Sequence, residues 1–236
     1  MPAHPDEHFP EIPVLYEDNH VLVVVKPVNI PTQEDDSGDK DMLTALKEDL
    51  KLRHGKPGNV FLGLVHRLDR PVGGAMVFAK TSKAASRLSE AVRSRTFGKT
   101  YLAIVHGQPK EETGRLRHHL LKDSRTNMVR TVPEGAEGAK EALLDYRILG
   151  QSSGLTLVKI TLLTGRSHQI RVQFATIGCP LYGDQKYGAN RNQPGTQIAL
   201  WSTEIAFNHP TRPEERLSFV SRPPQEHPWS LWSDKF

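Results

Sequence analysis

A chain of 236 residues, 37% of them hydrophobic, has ample material for a packed core; its 31 basic and 27 acidic residues leave a formal net charge of +4. That excess permits a polyanionic partner without requiring one. The single cysteine, Cys179, excludes an intrachain disulfide and suits a reducing compartment. No apolar run approaches a membrane span, so a soluble cytoplasmic protein is expected.

Residues 1–13 carry prolines, histidines and acids but no apolar signal core, and read as a flexible arm. Val14 to Tyr16 and Val21 to Lys26 predict two strands joined at the turn-rich Glu17-Asp-Asn-His20. Ser37, Gly38 and Asp39 offer an N-cap for a helix carrying Met42, Leu43, Leu46 and Leu50, closed by Gly55. The run Val60 to Val65 reads as a strand and Ala75 to Ala79 as another, with His66, Arg67, Asp69, Arg70, Pro71, Gly73 and Gly74 turning between them. Thr81 or Ser82 caps a second helix with Ala85, Leu88 and Val92 on one face; Thr100 to Val105 is a strand.

Residues 107–139 are polar, basic and broken by Gly and Pro, and read as an excursion from the core in the form of a hairpin. Ala142 to Leu149 and Leu155 to Leu163 predict paired strands around a Gly150–Gly154 turn. Gly165-Arg-Ser-His leads into a third helix through Ile170 and Phe174, ended by Gly178 and Pro180. Strands follow near 197–207 and 216–220, then a Pro-rich tail, 223–236. Strands outnumber helices and short turns join them. The fold class expected is therefore α+β: a mixed, mostly antiparallel β-sheet with packed helices, forming one catalytic domain over 14–222.

Three constellations carry chemistry. Asp69 lies in a tight loop between two strands with cations on either side, which favours an ionised carboxylate acting as nucleophile or base. The bland alternative is an aspartate that satisfies turn amides or pairs with Arg67 or Arg70. Leu163-Thr-Gly-Arg-Ser-His-Gln-Ile-Arg171 puts Arg166 at a strand-to-helix junction and Arg171 a turn along, with Ser167 as a possible cap. Such a junction suits a phosphate or a carboxylate, or is simply a capped helix with basic solvent-facing residues. Tyr101, on a strand, is either core or a ring that stacks on an exposed base. Arg93, Arg95, Lys99, Arg115, Arg117, Lys122, Arg125 and Arg130 concentrate positive charge in the middle third; a solvated face is the plain reading and a phosphate grip the functional one. His66, His118, His119 and His168 match no metal-ligand spacing, and no phosphate-loop or dinucleotide motif is present. No metal and no cofactor are expected.

His66-Arg-Leu-Asp-Arg-Pro-Val-Gly-Gly74, Lys99-Thr-Tyr-Leu-Ala-Ile-Val-His-Gly107 and Gly165-Arg-Ser-His-Gln-Ile-Arg-Val172 resemble, in order and spacing, the signature blocks of the RluA-type RNA pseudouridine synthases. The Val14–Pro27 segment is similar to that family's first hairpin and Leu181–Gly188 to its loop after the third helix. The resemblance covers residues 14 to 221. It implies the pseudouridine synthase fold with a central catalytic cleft, and an isomerase that converts uridine to pseudouridine in rRNA or tRNA. It implies Asp69 as the catalytic residue, Tyr101 packed on the target base, Arg166 paired with the aspartate, and Arg67 filling the gap left by the extruded uridine. Gly73 stands where the family often has Ser or Thr, which puts any hydrogen bond from that position in question. An N-terminal S4 module is expected to be absent, and the chain to be a monomer. The rivals are a non-catalytic RNA-binding factor on the same scaffold and a metal-dependent hydrolase built from His66, Asp69 and His168.

Overall fold

The computed structural model describes residues 9–55 and 57–236; the first eight residues of the expected arm lie outside the described residues. Residues 9–13 are not loose. Phe9 and Ile12 pack against the core, and the Pro13 carbonyl accepts from the Val25 amide at 2.9 Å.

Eleven strands among the described residues form one sheet. In chain order they are β1 (Val14–Glu17), β2 (Val21–Lys26), β3 (Gly63–Leu64), β4 (Gly73–Ala79), β5 (Gly98–His106), β6 (Thr113–Asp123), β7 (Met128–Val132), β8 (Lys140–Ser152), β9 (Leu155–Leu162), β10 (Leu200–His209) and β11 (Arg212–Val220). The order across the sheet is β1-β2-β4-β10-β5-β9-β8-β6-β7, with β3 on β4 and β11 on β10. Every named pairing is antiparallel except β4 with β10. The helices are α1 (Met42–Arg53), α2 (Ser82–Arg93) and α3 (Gln169–Thr176). The α+β expectation holds.

Alternation along the strands decides which face each residue serves. Leu22, Val24, Met76, Phe78, Tyr101, Ala103 and Ile160 join Leu46, Leu50 and Phe174 from α1 and α3 in one core. On the opposite face, Val21, Val23, Val77, Ile205 and Phe207 pack with Ala84 and Leu88 of α2. Leu102, Ile104 and Leu157 pack there with Trp229 and Trp232 of a short 3₁₀ turn. The C-terminal segment is thus part of the domain rather than a tail, because those two indoles are buried in the sheet.

Two further expectations change. The 107–139 segment does contain a hairpin, β6–β7, but β6 pairs with β8 and extends the sheet instead of leaving it. The Val60–Val65 strand shrinks to two residues because its partner edge on β4 is shared. β3 takes Phe78 and Ala79, while β10 takes Gly73 and Gly74. Between them, side chains complete the ladder: His66 Nε2 accepts from the Val77 amide at 3.2 Å, and the Ser202 hydroxyl donates to the Ala75 carbonyl at 2.9 Å. The chain is thereby free to leave the sheet at Val65 and form the loop that carries Asp69. Among the described residues no helix is long and apolar enough to cross a membrane.

Candidate active site

The loop 65–72 is held almost carbonyl by carbonyl. Thr32 donates to the carbonyl of Leu68 at 2.9 Å, the Val72 amide to that of Asp69 at 2.9 Å, and Gln197 to that of Pro71 at 2.6 Å. Lys26, at the end of β2 and fully buried, donates to the carbonyls of Arg70 at 3.0 Å and Val72 at 2.8 Å, and to that of Pro27 at 2.9 Å. Burial pushes the Lys26 ammonium down to about 7, against the pull of Asp69. An ammonium needs acceptors when buried, and here the acceptors are the backbone of the loop. The loop that carries Asp69 is therefore fixed by side chains from three separate segments.

The Asp69 side chain opens on a cleft of about 980 Å³ that Tyr101, Arg67, Arg166, Arg171 and Asp184 also line. Its cation is Arg171, not Arg166. Nη1 of Arg171 donates to Oδ2 of Asp69 at 3.1 Å, while Nε and Nη2 bind the two oxygens of Asp184 at 2.8 Å each. Asp184 is fully buried at its carboxylate and also accepts from the amides of Lys186 and Tyr187. Burial would lower the Arg171 pKa, but the hydrogen bonds and charge of Asp184 and Asp69 hold it above its ordinary value. The Tyr187 ring lies 5.3 Å from the same guanidinium.

Arg166 points elsewhere, its Nε donating to the Glu141 carbonyl at 2.9 Å. The reason is helical geometry. Arg171 lies inside α3, on the turn buried against the sheet, whereas Arg166 precedes the helix on the exposed junction. Ser167 does not cap the helix; His168 occupies the N-cap with φ 51° and no side-chain cap. Neither Arg67 nor Arg70 pairs with Asp69. Arg70 binds Asp35, Asp39 and Ser37, and Arg67 is exposed at the cleft without an acidic partner among the described residues.

Tyr101 stands on β5, 6% exposed, with the cleft before it. Burial first, and then the charge of Asp69, raise its phenol above the ordinary range. The supposed hydrolase cluster does not converge. His168 Nε2 lies 4.0 Å from Asp69, but His66 is committed to the Val77 amide and packs on Phe97 at 5.3 Å. Gly73 has its own explanation: a Cβ there would overlap Cζ3 of Trp201 and lie 2.9 Å from its Cη2. At the next residue, Gly74, φ is +117° and a Cβ would run into the Ser202 backbone. The β4–β10 contact leaves no room for a side chain at either position.

Asp184 and Lys26 were absent from the expected site, and Arg171, noted beside the strand-to-helix junction, was not given the pairing with Asp69. Two carried a signal, an arginine between Ile170 and Val172 and a lysine closing the apolar run Val21–Val25; Asp184 carried none. A charge embedded in apolar sequence must find a partner in the fold.

The family model described as RNA pseudouridylate synthase matches residues 20–176. The chain belongs to that family. The RluA-type resemblance of its motifs agrees with this assignment. Its similar curated relatives include the "Uncharacterized RNA pseudouridine synthase YhcT" of Bacillus subtilis, 32% identical over 214 residues, which are 86% of this chain and 66% of that protein. They include also the "Ribosomal large subunit pseudouridine synthase C" of Vibrio parahaemolyticus, 33% identical over 207 residues, 85% of this chain and 62% of that protein. The chain thus spans somewhat less than two thirds of these relatives. Among solved structures, human RNA Pseudouridylate Synthase Domain Containing 4 superposes with a TM-score of 0.75 at 24% identity, covering 90% of this chain and 89% of that one. That likeness shows that this family member has the pseudouridine synthase fold.

Proposed function

We propose that this chain is an RNA pseudouridine synthase whose catalytic carboxylate is Asp69. The observation that carries the reading is the Asp184–Arg171–Asp69 relay beside the buried ring of Tyr101, at the wall of a cleft large enough for a nucleotide. Arg171 occupies only Oδ2 of Asp69; Oδ1 has no hydrogen-bond partner among the described residues. The target uridine leaves its stack to reach the carboxylate, at a cost of a few kcal/mol. The N1–C1′ bond breaks, the uracil turns, and C5 bonds to C1′. The C5 proton departs to solvent and N1 gains one, so atoms and oxidation state balance. Asp69 serves as nucleophile or base, Arg171 holds it in place, and the Tyr101 ring confines the detached base.

The names of relatives such as the Vibrio parahaemolyticus protein support large-subunit ribosomal RNA as the substrate class. The exposed Arg67 is proposed to take the space vacated by the uridine. Two measurements test the reading together: pseudouridine mapping of total RNA from cells with and without this protein, and tritium release from [5-³H]uridine ribosomal RNA by wild type and Asp69→Asn. A site lost with the protein, and no release by the variant with RNA binding retained, are the expected results. Release by Asp69→Asn at the wild-type rate would refute the role of the carboxylate.

A further inference from the structure

Lys99 and Tyr101 are two residues apart on β5 and so leave the same face of the sheet. Lys99 is 7% exposed and lines the cleft, yet among the described residues its ammonium makes no hydrogen bond or ion pair. It is aimed at the turn before α3: a Cβ on Gly165 would lie 3.1 Å from Nζ, so the glycine leaves the space the ammonium uses. Arg166, the next residue, lies close enough for its charge to depress Lys99 further after burial has done so, and no acidic side chain offsets either effect. Lys26, the other deeply buried lysine, has three carbonyl acceptors. Lys99 has none among the described residues, and its ammonium is left open to the cleft for a partner from outside.

We propose that Lys99 and Arg166 form a subsite for one backbone phosphate of the RNA, beside the nucleotide that Tyr101 and Asp69 receive. The proposal rests on the reading of the chain as an RNA pseudouridine synthase and adds what grips the strand inside the cleft. Lys99 and Arg166 line the same cleft, and two cations there call for an anion rather than a neutral base carbonyl. Asp69 does not supply it, being held by Arg171. RNA brings a phosphate at every nucleotide. The hairpin arginines Arg115 and Arg117 are poorer candidates, because Asp145 and Glu141 already occupy them. Lys99 is a binding and positioning residue; nothing places it at the reacting atoms.

The test is binding of a fluorescein-labelled oligouridylate, read by anisotropy over a range of salt concentrations, for wild type, Lys99→Met and Lys99→Arg. Lys99→Met is expected to bind about tenfold more weakly, and the slope of log affinity on log salt to fall by about 0.7, the value of one single-strand phosphate. Lys99→Arg is expected to keep the wild-type slope, which a merely structural role would not predict. Lys99→Gln replaces the methionine variant if that fails to fold. Equal slopes in wild type and the neutral variants, or no binding by wild type, overturn the phosphate subsite. Binding as expected by a wild-type chain that forms no pseudouridine leaves the subsite standing and removes the enzymatic reading instead.

Discussion

Arg171 holds Asp69 with one nitrogen and Asp184 with two, so the guanidinium is oriented by the fully buried carboxylate and presents what remains to the partly exposed one. The 8% exposed arginine is thereby a rigid mount for Asp69 rather than a mobile counter-ion.

Arg171→Lys should therefore be far from conservative. A lysine cannot span both carboxylates, and Asp184 is left buried without its bidentate partner. A stability loss of about 3 kcal/mol is expected in urea melts. Turnover should fall about a hundredfold as Asp69 loses its orientation. Arg166→Gln should instead raise KM and leave kcat within a few fold. A large kcat defect in Arg166→Gln with a mild one in Arg171→Lys would reverse these assignments.

Tyr101→Phe keeps the ring and removes the hydroxyl. If the ring's contact with the base is what matters, turnover stays within a few fold of wild type, whereas Tyr101→Ala loses about 1–3 kcal/mol of RNA binding along with its packing. Complete loss of tritium release in Tyr101→Phe would show that the phenol itself takes part.

Gly73→Ser should destabilise the chain by about 1–3 kcal/mol through overlap with Trp201. Trp201→Leu opens that space, so the double variant should be less destabilised than the two single changes sum to. Additive thermal shifts would mean that the two positions do not compete for one volume.

His66 offers a pH test. Burial, and then the charge of Lys99, push its imidazole down from 6.5 to about 3, and Nε2 is occupied as acceptor for the Val77 amide. Between those values the unfolded chain binds a proton that the folded chain refuses, so this group makes stability rise with pH from about 3 to 6.5 and adds nothing above. At pH 4.5 the deficit is about 3 kcal/mol. His66→Gln keeps an acceptor for Val77 and should lose less stability than wild type when urea melts at pH 4.5 and 7 are compared. An identical pH response in both chains would sink this account.

Most strands of the catalytic domain, the Asp69 loop and the three motif blocks were legible in the sequence, because alternation, caps and turn residues act over a few positions. Asp69 and Tyr101 stood out there only as candidates, the family resemblance gave them their expected roles, and both line the cleft. What lay beyond local reading was partnership across the fold. Which arginine meets Asp69 depends on α3 burying Arg171 and leaving Arg166 outside, across 102 positions of chain. The short β3 depends on β10 arriving at Gly73 and Gly74 from the far end of the sequence. The tail became core only because the sheet presents Leu102, Ile104 and Leu157 to Trp229 and Trp232. Spacing in a sequence specifies which residues share a face; only the assembled sheet decides which charges share a buried volume, because a charge out of water must be matched by whatever the fold brings within hydrogen-bond reach.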